Sequence, residues 1–510
     1  MLFRSVVCHI GFANQRVSRV QSWAPFVAQA WQMQALRCAA AGTWASNAGE
    51  NGTFTHQHVA TGCPVALAVS IAHWFGLPHK GQAQASIEAD RGLGMPQSVA
   101  KQTRHNRQNL MYEFPPTPEA AQLRLDHVSP KDYAHTRNAL DGAVTHLSPY
   151  LTHGFLSVPD VASAMYHQYR VGVQHKLIYE LGWREYFQHM HHHLGEGIGQ
   201  SLREGVLPES DYSPELPEDV RHACTRVPVI DNAIRMLYTT GYLHNHARLW
   251  LASYLVHLRK VHWRVAADWM YSHLLDGDLA SNYLSWQWVA ATGSHKPYLF
   301  NADTVEKFAP EIWHSRGTSV DVSYELMDIL ARSAATVAQV RKNELAWDEP
   351  AVLTEPPAVL GFTQAVASDV AGKHVWLVHP WVLADMPDDL PADVVCVAVM
   401  FAEHAQKHPW NALRWHFVGE RMAALTPHRW FASADDVIQA LSGAQSVQTV
   451  AHLCLPDLMA AHVQLRPAPR LFRHLDKPMD SFSKWWVQVN KNVRHLQQLV
   501  YPLPVRPPAS

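Results

Sequence analysis

Between residues 112 and 345, apolar positions recur at intervals of three and four, the period of an α-helix that buries one face. The pattern predicts helices near 118–127, 158–170, 174–194, 228–240, 243–260, 263–275 and 322–342. Phe114-Pro-Pro-Thr-Pro-Glu119 reads as a proline-rich entry in which Thr117 caps the first helix. Leu207-Pro-Glu-Ser-Asp-Tyr-Ser-Pro214 reads as a break. With no alternating β-branched runs, 111–345 is expected to be an all-α domain. Prolines and small residues across 346–372, including Glu355-Pro-Pro357, suit a linker. The period then changes. Val375-Trp-Leu-Val-His379 and Val394-Val-Cys-Val-Ala-Val-Met400 are short continuous apolar runs of buried-strand type, with a further candidate at 447–454. Helical stretches near 409–425 and 434–442 fall among them, so 373–510 is expected to be a small parallel α/β domain. No glycine-rich phosphate loop accompanies it.

Residues 1–110 differ in texture. Their acids are Glu50, Glu88 and Asp90, and Ala, Gln, Ser and Gly are frequent without helical or strand spacing. The expectation is a poorly structured leader, with Met111 as the natural start; a targeting segment and a small helical domain are the alternatives. No run approaches the roughly 18 to 20 apolar residues that span a bilayer, which predicts a soluble protein. Six scattered cysteines without a CxxC pair argue against a disulfide framework, a zinc site or an iron–sulfur cluster, and fit a reducing, cytoplasmic setting. The formal net charge of −2 does not announce a nucleic-acid partner. His191-His192-His193 diverge in direction on a helix and suit an exposed helix end better than a metal site.

The candidate chemistry lies in Asp276-Gly-Asp-Leu-Ala-Ser-Asn-Tyr-Leu-Ser-Trp-Gln-Trp288. Asp278, Asn282 and Trp286 follow at intervals of four, so a helix stacks an acid, an amide and an oxidisable indole along one stripe. That suits a redox-active heterocycle better than an ordinary core. Glu180, Trp183 and Arg184 share a second helix face, and Asn245, Arg248 and Leu249 a third. Any one of these faces alone suits a helix–helix ion pair, such as Arg248 with Asp276. Three of them in one apolar domain imply buried charges that need partners, which a dinucleotide with a pyrophosphate supplies.

These segments, with Asp141-Gly-Ala-Val-Thr-His-Leu-Ser-Pro-Tyr-Leu-Thr-His-Gly154, resemble the FAD-binding helical domain of the cryptochrome/DNA photolyase family, in order and spacing, from about Thr117 to Pro310. The resemblance implies that Thr145, His146, Leu147 and Ser148 hold the FAD phosphates, and that Tyr133 and Arg184 contact the cofactor. It implies that Asn245 and Arg248 lie beside the isoalloxazine ring, with Asp276 as the partner of Arg248. Asp278 is then near the ribityl chain and Asn282 faces flavin N5. Trp286 and Trp263 match the proximal and middle members of a photoreducing tryptophan chain. The distal tryptophan is missing, with Tyr212 the nearest oxidisable substitute.

Glu180, Trp183 and Trp288 match residues that line the pocket for a flipped pyrimidine dimer, where a base needs aromatic faces and a carboxyl partner. His246 stands where the family has a cationic contact, and Leu249 where it has a pocket methionine. The domain 111–345 carries 20 Lys/Arg against 26 Asp/Glu, a balance that weakens duplex binding by phosphate neutralisation. The C-terminal domain resembles, more weakly, the Rossmann-like antenna domain that the family normally places first. Ser481-Phe-Ser-Lys-Trp-Trp-Val-Gln-Val489 is similar to the element that closes it. The expectations are therefore a light-driven FAD enzyme that splits cyclobutane pyrimidine dimers in damaged DNA, and a second antenna chromophore of unknown kind. The alternatives are a light sensor read by a protein partner and a structural FAD protein.

Overall fold

The computed structural model describes residues 113–341 and 346–500. The expectations for residues 1–110 and Met111 lie outside the described residues. From residue 113 the chain is helical: α1 Pro118–Asp126, α2 Pro130–Thr136, α3 Ser148–Thr152, α4 Val158–Tyr169, α5 Lys176–Leu194, α6 Pro228–Thr240, α7 Asn245–Ser253, α8 Trp263–His273, α9 Leu279–Ala290, α10 Ala302–Phe308 and α11 Tyr324–Ala331. Local chemistry sets the starts. The Thr117 hydroxyl accepts from the Ala120 amide, with Pro118 in the first turn, and Ser157 and Asp160 form a reciprocal capping box. α9 is central; almost all of its residues are buried.

Two boundaries differ from the hydrophobic pattern, and one residue accounts for much of both. α7 runs into a single π turn, Tyr254–Leu258, instead of continuing to residue 260. α11 stops at Ala331 instead of near 342. Lys260 is buried where these ends meet, and its Nζ donates to the carbonyls of His257, Leu330 and Ala331 at 2.7–2.9 Å. Helix-terminal carbonyls left without a partner are thereby satisfied. Beside it, Arg259 pairs with the fully buried Asp219.

The C-terminal domain is a five-stranded parallel sheet in the order β5-β3-β2-β6-β7, made of β2 His374–Val378, β3 Val395–Phe401, β5 Arg429–Ala432, β6 Ser446–Val450 and β7 Gln464–Arg466. β1 Val352–Leu353 and β4 Trp410–Asn411 form a separate antiparallel pair. Helices α12 Ala402–Lys407, α13 Ala412–Leu425 and α14 Ala434–Leu441 connect the strands, and α15 Phe482–Val489 follows the sheet. β5 and β7 escape the apolar-run pattern because edge strands bury less: β5 alternates buried and half-buried residues, and β7 has one exposed and two half-buried residues. The fold is thus a multi-helical domain followed by a parallel α/β domain.

Segment 346–372 is fastened to both domains. The Trp347 amide donates to the His222 carbonyl, and Glu349 accepts from Arg221 and Trp269. Trp415 donates to the Leu353 carbonyl. The carboxyl ends of the strands face the helical domain. There the His153 ring sits between the carbonyls of Pro380 (2.6 Å) and Leu275 (2.8 Å), with one N–H to donate, and Leu383 donates back to the His153 carbonyl. At the reversal of strand order between β2 and β6, a usual ligand crevice in such sheets, Trp381 lies flat on His452 (4.7 Å, 2°).

Gly154 makes this seam possible. Its φ is +67°, and a Cβ there would lie 2.4 Å from the Trp381 carbonyl oxygen. Gly154→Ala is expected to cost about 2 kcal/mol or more, from left-handed strain plus the clash, read by urea denaturation of the full chain.

Candidate functional site

The turn between α8 and α9 supplies two acids with different tasks. Asp278 is the N-cap of α9: one oxygen accepts from the Ser281 amide at 3.0 Å and from the Ser281 hydroxyl, and the other accepts from Gln188 of α5 at 2.7 Å. Asp276, before the glycine, meets Arg248 of α7, whose Nη2 donates to both carboxylate oxygens at 2.9 and 2.7 Å. One helical turn beyond Asp278, Asn282 is fixed by its Nδ2 donating to the Ala267 carbonyl at 2.9 Å. One turn further stands Trp286. Asp278, Asn282 and Trp286 all line one cavity.

The walls come from the other two sequence faces and from the loop before α3. Arg184 and Glu180 of α5, Asn245, His246, Arg248 and Leu249 of α7, Tyr133, Thr145, Ser148 and Trp288 join the acids around the same cavity. His146, between Thr145 and Ser148, takes a left-handed conformation (φ 52°). It and Leu147 are buried and do not line the cavity. Trp263 and Trp183 also lie outside the lining. Trp183 is stacked face to face on Phe482 of α15 at 3.9 Å and 9°. Trp288 is half-buried and packs against Tyr298.

Several lining residues were not singled out from the sequence, among them Arg137, Asn138, Tyr242, Met270 and Ser285. Ser285 lies three residues past Asn282 and Arg137 four past Tyr133, so helical spacing was the available signal for both. Met270 carried no such signal, and only the fold sets Arg137 Nε 3.8 Å from the Glu180 carboxylate.

Charge in the cavity is arranged by these contacts. Burial pushes the Asp276 carboxyl up, but the Arg248 charge and hydrogen bonds outweigh it and hold the group below its ordinary range. Asp278 is likewise driven up by burial and pulled down further by Arg184 and Ser281, so both aspartates are ionised. Glu180 is the opposite case. Burial raises its pKa to about 8 despite Arg137, leaving it a neutral acid at pH 7. Burial lowers His246 to about 4, helped by Arg137. It is a neutral imidazole and does not replace a cation.

This is the constellation of a flavin-binding domain. Residues 177–313 match the model of the FAD binding domain of DNA photolyase, so this domain is of the photolyase/cryptochrome class. Among curated relatives, a deoxyribodipyrimidine photo-lyase of Vibrio cholerae is 30% identical over 42% of this chain and 50% of its own length. A cryptochrome DASH of Idiomarina loihiensis is 30% identical over 35% and 42%. The crystal structure of a Synechocystis cryptochrome covers 38% of this chain and 43% of its own, at 27% identity and a TM-score of 0.34. The chain spans about half the length of the curated relatives it matches. No helix among the described residues is long and apolar enough to cross a membrane.

The residues present fit FAD. Three buried polar atoms of lining residues, Glu180 Oε2, His246 Nδ1 and Ser285 Oγ, have no partner within the protein, and such atoms are costly unless a ligand or water meets them. Arg184 and Arg248 add cations to the lining beside the two ionised aspartates. Arg248→Met leaves Asp276 as an uncompensated buried carboxylate and is expected to cost about 3 kcal/mol. Asp276→Asn is expected to cost less, because Arg248 keeps part of its guanidinium in water. Urea denaturation reads both, and flavin absorbance of the purified proteins is expected to fall in both.

Proposed function

We propose that the chain is a light-driven flavoenzyme of the cytoplasm that splits cyclobutane pyrimidine dimers in damaged DNA. The observation that carries this reading is Glu180, a buried carboxyl group with one unpartnered oxygen, in the same cavity as Trp288. Bound FAD, reduced and excited by blue light, supplies the electron for the ring cleavage. Glu180, protonated, donates a hydrogen bond to the carbonyl edge of a flipped base, a role that an ionised glutamate cannot perform. Trp288 offers an aromatic face to the base. Asn282, fixed by its bond to the Ala267 carbonyl, would face the bound FAD, and Trp286 and Trp263 return electrons to the site.

A second reading, a light sensor without repair, is favoured by Trp183. This indole is expected by resemblance in the lesion pocket, yet it is covered by Phe482. The neutral His246 points the same way.

The test is full-length protein with reduced flavin, illuminated in the presence of an oligonucleotide holding one thymine dimer. Light-dependent loss of the dimer is expected. Trp288→Ala is expected to weaken lesion binding about tenfold or more, from the ~1–3 kcal/mol of one base–aromatic stack. Because the raised Glu180 pKa keeps the donor proton in place below about 8, repair is expected to decline as pH rises through that value. Glu180→Gln, permanently neutral, flattens the decline. Intact dimers after prolonged illumination sink the enzyme reading, and light-dependent capture of a protein partner then supports the sensor.

A further inference from the structure

The sequence leaves an electron path that ends at Trp263 without a terminal donor. Tyr212, the nearest candidate by sequence position, meets the path only through the His262 ring, 6.4 Å away. Its hydroxyl is met by the Leu207 backbone amide, which holds its pKa down against burial. An amide N–H donates a hydrogen bond and cannot take up the proton that an oxidised phenol must shed.

A different tyrosine has both requirements. Tyr283, on α9 one turn before Trp286, sets its ring edge-on to Trp263 at 6.2 Å and 74°. Its hydroxyl donates to the Asp268 carboxylate at 2.5 Å. Asp268 is ion-paired with Arg264, whose Nε lies 2.9 Å from both oxygens, and its side chain is 45% exposed. The phenol is therefore buried while its proton acceptor borders water.

We infer that Tyr283 is the terminal electron donor of this path and Asp268 its proton acceptor. The step balances within the protein. Trp263, oxidised by one electron, takes an electron from Tyr283; the phenolic proton moves to Asp268; the products are neutral Trp263, a neutral Tyr283 phenoxyl radical and protonated Asp268. The initial oxidant would be the oxidised form of the same FAD, excited by blue light and reduced by the electron it takes up, so this inference rests on the proposed function.

Three observations make proton transfer obligatory. Burial and the Asp268 charge raise the Tyr283 pKa far above its ordinary value, so no phenolate is available beforehand. The Arg264 guanidinium sits 4.3 Å over the Tyr283 ring, which disfavours a tyrosine radical cation but not a neutral radical. Trp263 Nε1 donates only to the Ser201 hydroxyl, at 2.9 Å. A serine hydroxyl is a poor base, so the oxidised indole keeps its proton and remains the stronger oxidant.

The test is a blue-light flash on the flavin-loaded full chain, followed by transient absorption and electron paramagnetic resonance. A neutral tyrosyl radical is expected in the wild type. Tyr283→Phe is expected to lose it and leave the oxidising equivalent on an indole. Asp268→Asn is expected to lower its yield and abolish the slowing of its formation in deuterated water, and Tyr212→Phe to change nothing. A tyrosyl radical that survives Tyr283→Phe, or vanishes in Tyr212→Phe, overturns the assignment, as does a wild type that stops at an indole radical. If light produces no radical in any variant, the photochemical reading itself fails. Pulse radiolysis with azide radicals, which oxidise tryptophan without flavin, then decides the tyrosine. The wild type must yield more phenoxyl radical than Tyr283→Phe for the assignment to stand.

Discussion

The turn at residues 274–278 is buried, belongs to no helix or strand, and so must find partners for its backbone elsewhere. It finds them on both domains. Leu275 N donates to the carbonyl of Gly241, and its carbonyl meets the His153 ring. The Asp276 carbonyl accepts from Thr152, and that of Gly277 accepts from Arg414 of α13 at 2.6 Å. Asn411, at the start of α13, takes the His273 carbonyl. Side chains of the C-terminal domain thus complete the turn that presents Asp276 and Asp278. Gly277 is required here for space: a Cβ would lie 2.4 Å from Arg414. The α/β domain thus braces the turn from behind, while the lining of the cavity comes from the helical domain.

The same economy governs charge. Ionised Asp276 and Asp278 each have an arginine nearby and fixed donors, while Glu180, with Arg137 at the longer distance of 3.8 Å, stays neutral. The site therefore holds two anions for positioning and one neutral acid able to donate. Arg414 is buried completely. Its cation lies over the rings of Trp410 (4.1 Å) and Tyr271 (4.8 Å). Aromatic faces offset part of the cost of its desolvation. This places the seam between the domains among the most demanding packing in the molecule.

Much of the site was legible in the sequence because it is built on helical periodicity. The four-residue spacing of Asp278, Asn282 and Trp286, and the three- and four-residue spacing around Glu180 and Asn245, survive folding as shared faces. What escaped depends on residues distant in the chain. Nothing near Arg414 reveals that it reaches Gly277, 137 positions away. Nothing near Trp183 reveals that Phe482 covers it. Tyr283 sits inside the most informative motif, yet its significance comes from Asp268 on the neighbouring helix. Fold class was legible for a related reason, since buried strands β2 and β3 are continuous apolar runs. Edge strands β5 and β7 are not, and these were missed.

The cover on Trp183 bears directly on repair versus sensing. α15 is held to α5 closely: a Cβ on Gly182 would lie 2.5 Å from the Trp486 ring, and Glu185 accepts from the amides of Leu471 and Phe472. The Trp183–Phe482 stack itself contributes about 0.5–1.5 kcal/mol beyond burial. A base stacked on an indole contributes ~1–3 kcal/mol. The ring-for-base exchange alone is therefore near balance or mildly favourable. The decisive term is the remainder of α15, whose Trp485 and Trp486 pack with Phe472 and Phe482. Moving Phe482 alone gives up its ring contacts with Tyr179, Tyr186, Trp485 and Trp486; moving the helix exposes the whole aromatic cluster. A lesion pocket that uses Trp183 thus requires a Phe482 side-chain rotation with α15 left in place, and one that uses Trp288 and Glu180 requires no movement of α15.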